Sequence, residues 1–339
     1  MTRIDQPARV GARWSRIGLV LSVFVVAVAL VVLYRILQGI DLSKVVGAIR
    51  ATELWRVAVA ACAVAASYFT LTFYDVFALR MLGHRTIPYR VVWRAAFASF
   101  SIGHNAGVAT LIGAAVRYRF YSPYGIDASD VARMCFLVAL TFWLGNLATL
   151  GVGVALEPRA AAAIDQLSPF ANTTLAVAVL VVLGAYVLWV WSTPRAIGHR
   201  DWNVRLPNGP STLLQIVIGI ADLLASSLAM YVLLPAEPSI GFGALAVVFV
   251  CAMMLGFASH APSGLGVFDA TMLIALAQFD PEPLLASLLL FRLLYYFAPL
   301  VIGLAMLGTR ELVAAMKQIG CSSRRSGVRN TARRRASAN

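Results

Sequence analysis

Apolar runs of bilayer-crossing length recur along the chain, and no other feature of the sequence limits the fold as strongly. The clearest is Ile17–Leu37, with 21 residues. At 1.5 Å rise per residue it spans about 31 Å, the thickness of a hydrocarbon core. Leu54–Leu79, Val131–Leu156, Ala171–Trp191, Ser211–Leu234 and Leu284–Leu307 are of the same kind. Inside a bilayer every backbone polar group must find a partner within the protein, which selects helices for segments of this length. The composition agrees: 60% of residues are hydrophobic and 13% charged, against about 25% charged in a soluble domain. A soluble globular enzyme, a disordered chain and a disulfide scaffold are excluded. The 339 residues hold about six to nine membrane segments. The expected fold is an all-α polytopic membrane protein without a soluble catalytic domain.

The few charges then set orientation. The formal net charge is +13, and of the 28 cations only Lys44 and Lys317 are lysines. The N-terminus and the connections 80–94, 117–119 and 195–205 are basic, as is the tail. Cytoplasmic flanks retain Arg and Lys, so these are placed inside. Connections 157–170, 235–240 and 280–283 are acidic or neutral and are placed outside. Segments 95–116 and 241–279 then each begin and end on one side. They become two opposed re-entrant hairpins beside six full crossings; a conventional count gives eight spans. Residues 38–53 carry Lys44 and Arg50 yet fall outside, against the rule. Leu42, Val45, Val46 and Ile49 there follow helical spacing, an amphipathic helix at the interface.

Three regions follow: a cytoplasmic basic N-terminus (1–16), a membrane domain (17–309) and a basic tail (310–339) expected to be disordered. The N-terminal apolar run is too long for a signal peptide and lacks a small-residue cleavage site. The tail arginines suit anionic lipid headgroups. Without aromatic interleaving they do not point to nucleic acid. The expected location is a bacterial inner membrane, with both termini cytoplasmic.

An internal repeat supports the hairpins. His104 precedes Asp127 by 23 residues, and Phe142-Trp143 follows 15–16 later. His260 precedes Asp280 by 20, and Tyr295-Tyr296 follows 15–16 later. Each unit reads as a Gly-rich break, an apolar arm, a turn with Asp and a long helix bearing an aromatic pair. Units entering from opposite sides form an inverted repeat, the organisation of many transporters, whose sites lie where broken helices meet.

An ionisable group in an apolar span costs at least about 2.5–3.5 kcal/mol, so it faces the protein interior or a wet cavity. The substrate-binding candidates are His104, Asn105, Arg117, Asp222, His260, Asp269 and Arg292. Asp75 is a further intramembrane acid, close enough to a basic flank to be interfacial. One reading is a polar track for a charged headgroup, with Arg117 and Arg292 holding phosphate. Backbone amides around Gly103–Gly107 and Gly264–Gly266 add donors there. The bland reading is Asp–Arg pairing that fixes helix register. Gly103, Gly107, Pro262, Gly264, Gly266 and Pro299 are the expected structural breaks, although Gly103-x-x-x-Gly107 also suits close helix packing.

Other chemistry finds no support. The four cysteines show no paired spacing, and the histidines lack neighbouring ligands, so neither a disulfide framework nor a metal site is indicated. The 262–266 run has Asp269 where a dinucleotide loop needs a third Gly. No nucleophile, base and orienting acid stand at motif spacing, so no catalytic residue is assigned. No cofactor is expected.

Two stretches resemble a known family. Ser259-His-Ala-Pro-Ser-Gly-Leu-Gly-Val-Phe-Asp269 and Arg292-Leu-Leu-Tyr-Tyr-Phe-Ala-Pro299, running on to Gly303, are similar to a signature of the lysylphosphatidylglycerol synthase transmembrane-region family. This YbhN-like family includes the flippase half of the multiple peptide resistance factor. Gly107 through Gly113, Arg117, Tyr121 and Gly125 resemble its first, looser signature. The resemblance covers about residues 20–310. Asp269 stands where the family usually has Glu, and Ser263 where a second Gly is common. The soluble aminoacyl-transferase domain has no counterpart here, so the resemblance implies the membrane half alone.

The expectation is therefore a flippase-like transporter for a phospholipid or lipid-linked headgroup. Its partners are membrane lipids, an anionic phospholipid or a polyprenyl-linked lipid, and no nucleic acid. A second copy of the chain or a partner membrane enzyme also fits. The rivals are a membrane-embedded transferase using a lipid-linked donor and a structural partner of another membrane enzyme.

Overall fold

The computed structural model describes residues 41–106, 109–193, 195–199 and 202–312. The expected first span Ile17–Leu37, Gly107 and the basic tail beyond Leu312 lie outside the described residues. Described helices run Leu42–Ala51 (α1), Leu54–Met81 (α2), Tyr89–Asn105 (α3), Ala109–Tyr121 (α4), Ala128–Leu156 (α5), Pro158–Asp165 (α6), Pro169–Ser192 (α7), Gly209–Leu233 (α8), Phe242–Ala258 (α9) and Val267–Ala275 (α10). A last helix, α11, runs Pro281–Leu312. Five of these, α2, α5, α7, α8 and α11, are long and apolar enough to cross a membrane. The protein is an all-α polytopic membrane protein.

Side-chain contacts sort the connections into two ends. Lys44 stands 3.9 Å from Glu282, Arg56 donates to the Leu234 carbonyl at 3.1 Å, and Ser287 donates to the Leu233 carbonyl at 2.7 Å. The Glu157 side chain lies against Gly243. These acidic connections share one end. His84 meets Asp130 at 3.0 Å and Arg119 meets Glu311 at 3.4 Å, which gathers the basic connections at the other. α3 and α4 pack together as a helical hairpin open to the basic end; α9 and α10 form one open to the acidic end.

The repeat has a physical counterpart. Asp127 and Asp280 both occupy N-cap positions, of α5 and α11. Asp127 accepts the Asp130 amide at 2.7 Å, as an N-cap carboxylate does. α5 and α8 cross closely, because a Cβ on Gly145 would stand 2.5 Å from the Gly219 Cα. Only glycine on both helices permits that approach.

Four local expectations change. α1 is amphipathic as its spacing predicts, but it docks on α11, burying Val45 against Leu285 and Ala286. Its cap Asp41 accepts the Ser43 hydroxyl and amide, which hold its carboxyl below the usual range. The docking also explains why a basic helix sits at the acidic end: Lys44 answers Glu282. The 157–170 connection contains helix α6, begun by Pro158, whose fixed φ suits a first turn. The polar 193–210 stretch forms an antiparallel pair, Ala196–His199 (β1) with Trp202–Arg205 (β2), in register Ala196 to Arg205.

Pro299 is no break. α11 runs through it, preceded by a π turn at Leu293–Phe297. Proline supplies no N–H to the carbonyl four residues earlier. That carbonyl, on Tyr295, instead accepts the Tyr68 hydroxyl at 3.0 Å.

Candidate functional site: a cavity where two hairpin tips meet

The two hairpins touch at their tips. Asn105, the last residue of α3, donates through Nδ2 to its own helix at Ser101 O (2.8 Å) and across to Tyr296 O (3.2 Å). Its Oδ1 accepts the Ser263 hydroxyl at 2.7 Å. Asn105 is therefore a latch between the hairpins and α11. Ser263 holds a φ of +52°, and His260 one of +56°. These left-handed conformations favour glycine, a physical reason for the family's usual Gly at position 263.

Beside the latch lies a cavity of about 350 Å³. It falls near the lower end of the roughly 300–1,000 Å³ usual for small-molecule sites. His104, Arg117 and His260 supply its nitrogen groups, and Phe142, Trp143 and Tyr296 wall it from the two aromatic pairs of the repeat. His104 stacks on Tyr295 at 6.4 Å, and among the described residues neither of its ring nitrogens has a hydrogen-bond partner. His260 is exposed, its Nδ1 3.0 Å from the Ala258 carbonyl.

Arg117 arrives from α4. Its Nε lies 3.0 and 3.1 Å from the two carboxylate oxygens of Asp75, and its Nη2 2.8 Å from Oδ1. The Tyr121 hydroxyl, one helical turn on, donates to the same carboxylate at 2.9 Å. The Phe100 ring lies 4.7 Å from the guanidinium carbon, and the Cys135 thiol lies beside the group. Asp75 leaves Nη1 uncovered, and Gly113 makes room for it: a Cβ there would stand 3.2 Å away. Asp75 is wholly buried in the bundle, six residues before the end of α2 at Met81.

All three nitrogens of Arg292 are engaged. Its Nε and Nη2 meet the two oxygens of Asp269 at 2.8 and 2.6 Å, and Nη1 donates to Ser263 O at 3.2 Å. Asp269 also accepts the Gly266 amide at 3.1 Å. This network clamps the second tip, as the pairing reading expects, and Arg292 and Asp269 do not line the cavity. The amides of the second break are also used: Gly264 N bonds Ala261 O at 2.9 Å and Leu265 N bonds Pro262 O at 3.0 Å. They are not free donors for a ligand.

Asp222 sits elsewhere, between α2 and α8. It accepts Ser67 Oγ at 2.5 Å and the Tyr74 hydroxyl at 3.4 Å. Sequence reasoning missed Ser67, Tyr74, Tyr121, Cys135 and Phe100 as neighbours of the intramembrane charges. Only Tyr121 had a local signal, its i+4 spacing from Arg117.

Crossing helices, two opposed hairpins with touching tips and, between them, a largely apolar cavity that carries Arg117 and two histidines define a polytopic membrane protein of the inverted-hairpin kind. The chain belongs to the lysylphosphatidylglycerol synthase TM region family, which it matches over residues 18–303. It is 29% identical to an uncharacterized protein of Synechocystis sp., over 73% of this chain and 77% of that one. It is 27% identical to the inner membrane protein YbhN of Escherichia coli, over 83% of this chain and 87% of that one. It is also 25% identical to the phosphatidylglycerol lysyltransferase of Staphylococcus aureus, over 88% of this chain but 34% of that enzyme.

Proposed function

We propose that the protein carries the anionic headgroup of a membrane lipid, a phospholipid or a polyprenyl-linked lipid, from one leaflet to the other. The observation that carries this reading is Arg117: a buried guanidinium at the cavity wall with one nitrogen left over by its carboxylate. Two histidines stand on the same wall. A cation preset by Asp75 meets a phosphate oxygen without first being desolvated. The cavity has room for a headgroup and not for acyl chains, which stay in lipid. The hairpins open to opposite ends, so parting one from the tip contact while the other stays closed exposes the cavity to one side at a time. Basic connections at one end orient that end to the cytoplasm of an inner membrane.

The lysyltransferase relative matches this chain over a third of its own length. We read the matched part as lipid-handling and non-catalytic. The test is reconstitution with labelled lipids. Purified protein moves an anionic phospholipid or polyprenyl lipid between leaflets faster than empty vesicles do. Exchange at the empty-vesicle rate for both lipid classes overturns the proposal, and a changed lipid mass with no changed leaflet indicates a transferase instead.

A further inference from the structure

Among the described residues three acids are buried: Asp75, Asp222 and Asp269. Two are held by a bidentate arginine. Asp222 is not: among the described residues no cation stands within 4.0 Å of it. It lies near the middle of α8, thirteen residues after Gly209 and eleven before Leu233. The groups that face it are neutral. They are the Ser67 hydroxyl and the Tyr68 and Tyr74 phenols of α2, and the Tyr295 phenol of α11. α5, α7 and α9 also pack on α8, and none brings a charged group to hydrogen-bond distance of the carboxyl.

An ionised carboxylate in such surroundings has two hydroxyl donors and no counter-charge. That is a costly state in a low-dielectric interior, and a proton relieves it. The place also has a connection to the site. The Tyr74 ring meets Phe100 edge-on at 5.9 Å, and Phe100 lines the cavity and lies under Arg117. Tyr68, beside Asp222, bonds the Tyr295 carbonyl in the π turn of α11, one residue before the carbonyl that Asn105 holds. Asp222 thus sits at the seam of α2 and α8 with one aromatic layer between it and the cavity.

We propose that Asp222 is a reversible proton-binding site in the membrane interior and that its proton is the coupling ion for lipid movement, the second half resting on the transport reading above. One proton from water converts the carboxylate to the neutral acid and is returned to water on release. Loading removes the uncompensated charge from the α2–α8 seam, and release restores it. The cycle therefore links proton occupancy to how tightly that seam holds the π turn and, through Asn105, the first hairpin tip.

The test uses the full chain in lipid nanodiscs, read by infrared difference spectroscopy across a pH titration. The wild type gains a protonated carboxyl C=O band on acidification, and Asp222→Asn loses it. Ser67→Ala keeps the carboxyl and removes its shortest bond, so the band stays and moves to higher frequency. A wild type with no titrating band, or a band that survives Asp222→Asn and ignores Ser67→Ala, overturns the proton site. In vesicles, an imposed pH gradient changes the rate of wild-type lipid exchange. If lipid moves and the gradient has no effect, the coupling is overturned. If no lipid moves at all, the transport reading fails while the infrared band still decides the proton site.

Discussion

The two Asp–Arg pairs look alike in sequence and do different work. In Asp75–Arg117 the carboxylate takes two guanidinium nitrogens and the Tyr121 hydroxyl, it leaves the third nitrogen, and Arg117 lines the cavity. In Asp269–Arg292 the third nitrogen is spent on the Ser263 carbonyl, and the pair stands behind the second hairpin tip. One pair presets a cation; the other fixes a backbone. An intramembrane arginine has a nitrogen to offer a ligand only where its own carboxylate leaves part of it uncovered.

The largest effect expected from this contrast is on folding. Arg292→Ala strands a buried carboxylate, which costs about 3–5 kcal/mol. Its melting temperature in detergent falls well below that of the double variant Asp269→Ala/Arg292→Ala, in which no charge is left unpaired. Equal melting temperatures would show that the clamp is not an electrostatic pair.

Arg117→Lys affects binding rather than folding. Lysine keeps the charge but cannot grip Asp75 bidentately and also present a nitrogen to the cavity. Affinity for an anionic lipid, read by titration into nanodiscs, falls about tenfold, which corresponds to about 1.4 kcal/mol. In contrast, Arg292→Lys lowers stability and leaves the affinity of the folded fraction unchanged. If Arg292→Lys weakens lipid binding as much as Arg117→Lys does, the division of labour fails.

Gly219→Val tests the scaffold common to both pairs. Its side chain meets Gly145 at the α5–α8 crossing, and overpacking there costs about 1–3 kcal/mol in thermal unfolding. Smallest is Ser263→Gly. It removes one tip hydrogen bond, a loss of about 0.5–1.5 kcal/mol, and relieves the left-handed strain at φ +52°. The net change in melting temperature is small, while accessibility of a cysteine placed at Ala106 rises as the tips part.

The periodicities that sequence carries best are those the fold kept. Hydropathy and flanking charge gave the long helices and the two opposed hairpins, because both are local properties of the chain. The matched spacing of Asp127 and Asp280 became two helix caps. Pairing was not legible. Asp75 and Arg117 are 42 positions apart, and nothing local marks them as partners. The candidate residues were recognised as intramembrane polar groups, but burial alone does not say which wall each one faces. His104, Arg117 and His260 reach the cavity; Asn105, Asp269 and Arg292 hold its frame; Asp222 stands apart. Pro299 misled because the π turn and Tyr68 satisfy the carbonyl it orphans, a repair supplied from another helix.

The central claim is that the cavity beside the hairpin tips is the route of the headgroup. Ala139 of α5 lines that cavity and belongs to neither ion pair. Ala139→Trp fills the space without removing a charge. In vesicles with a fluorescent anionic phospholipid, quenched from outside, the wild type exchanges lipid between leaflets and Ala139→Trp, folded to the same melting temperature, falls to the rate of empty vesicles. Unchanged exchange in the filled variant would contradict the account.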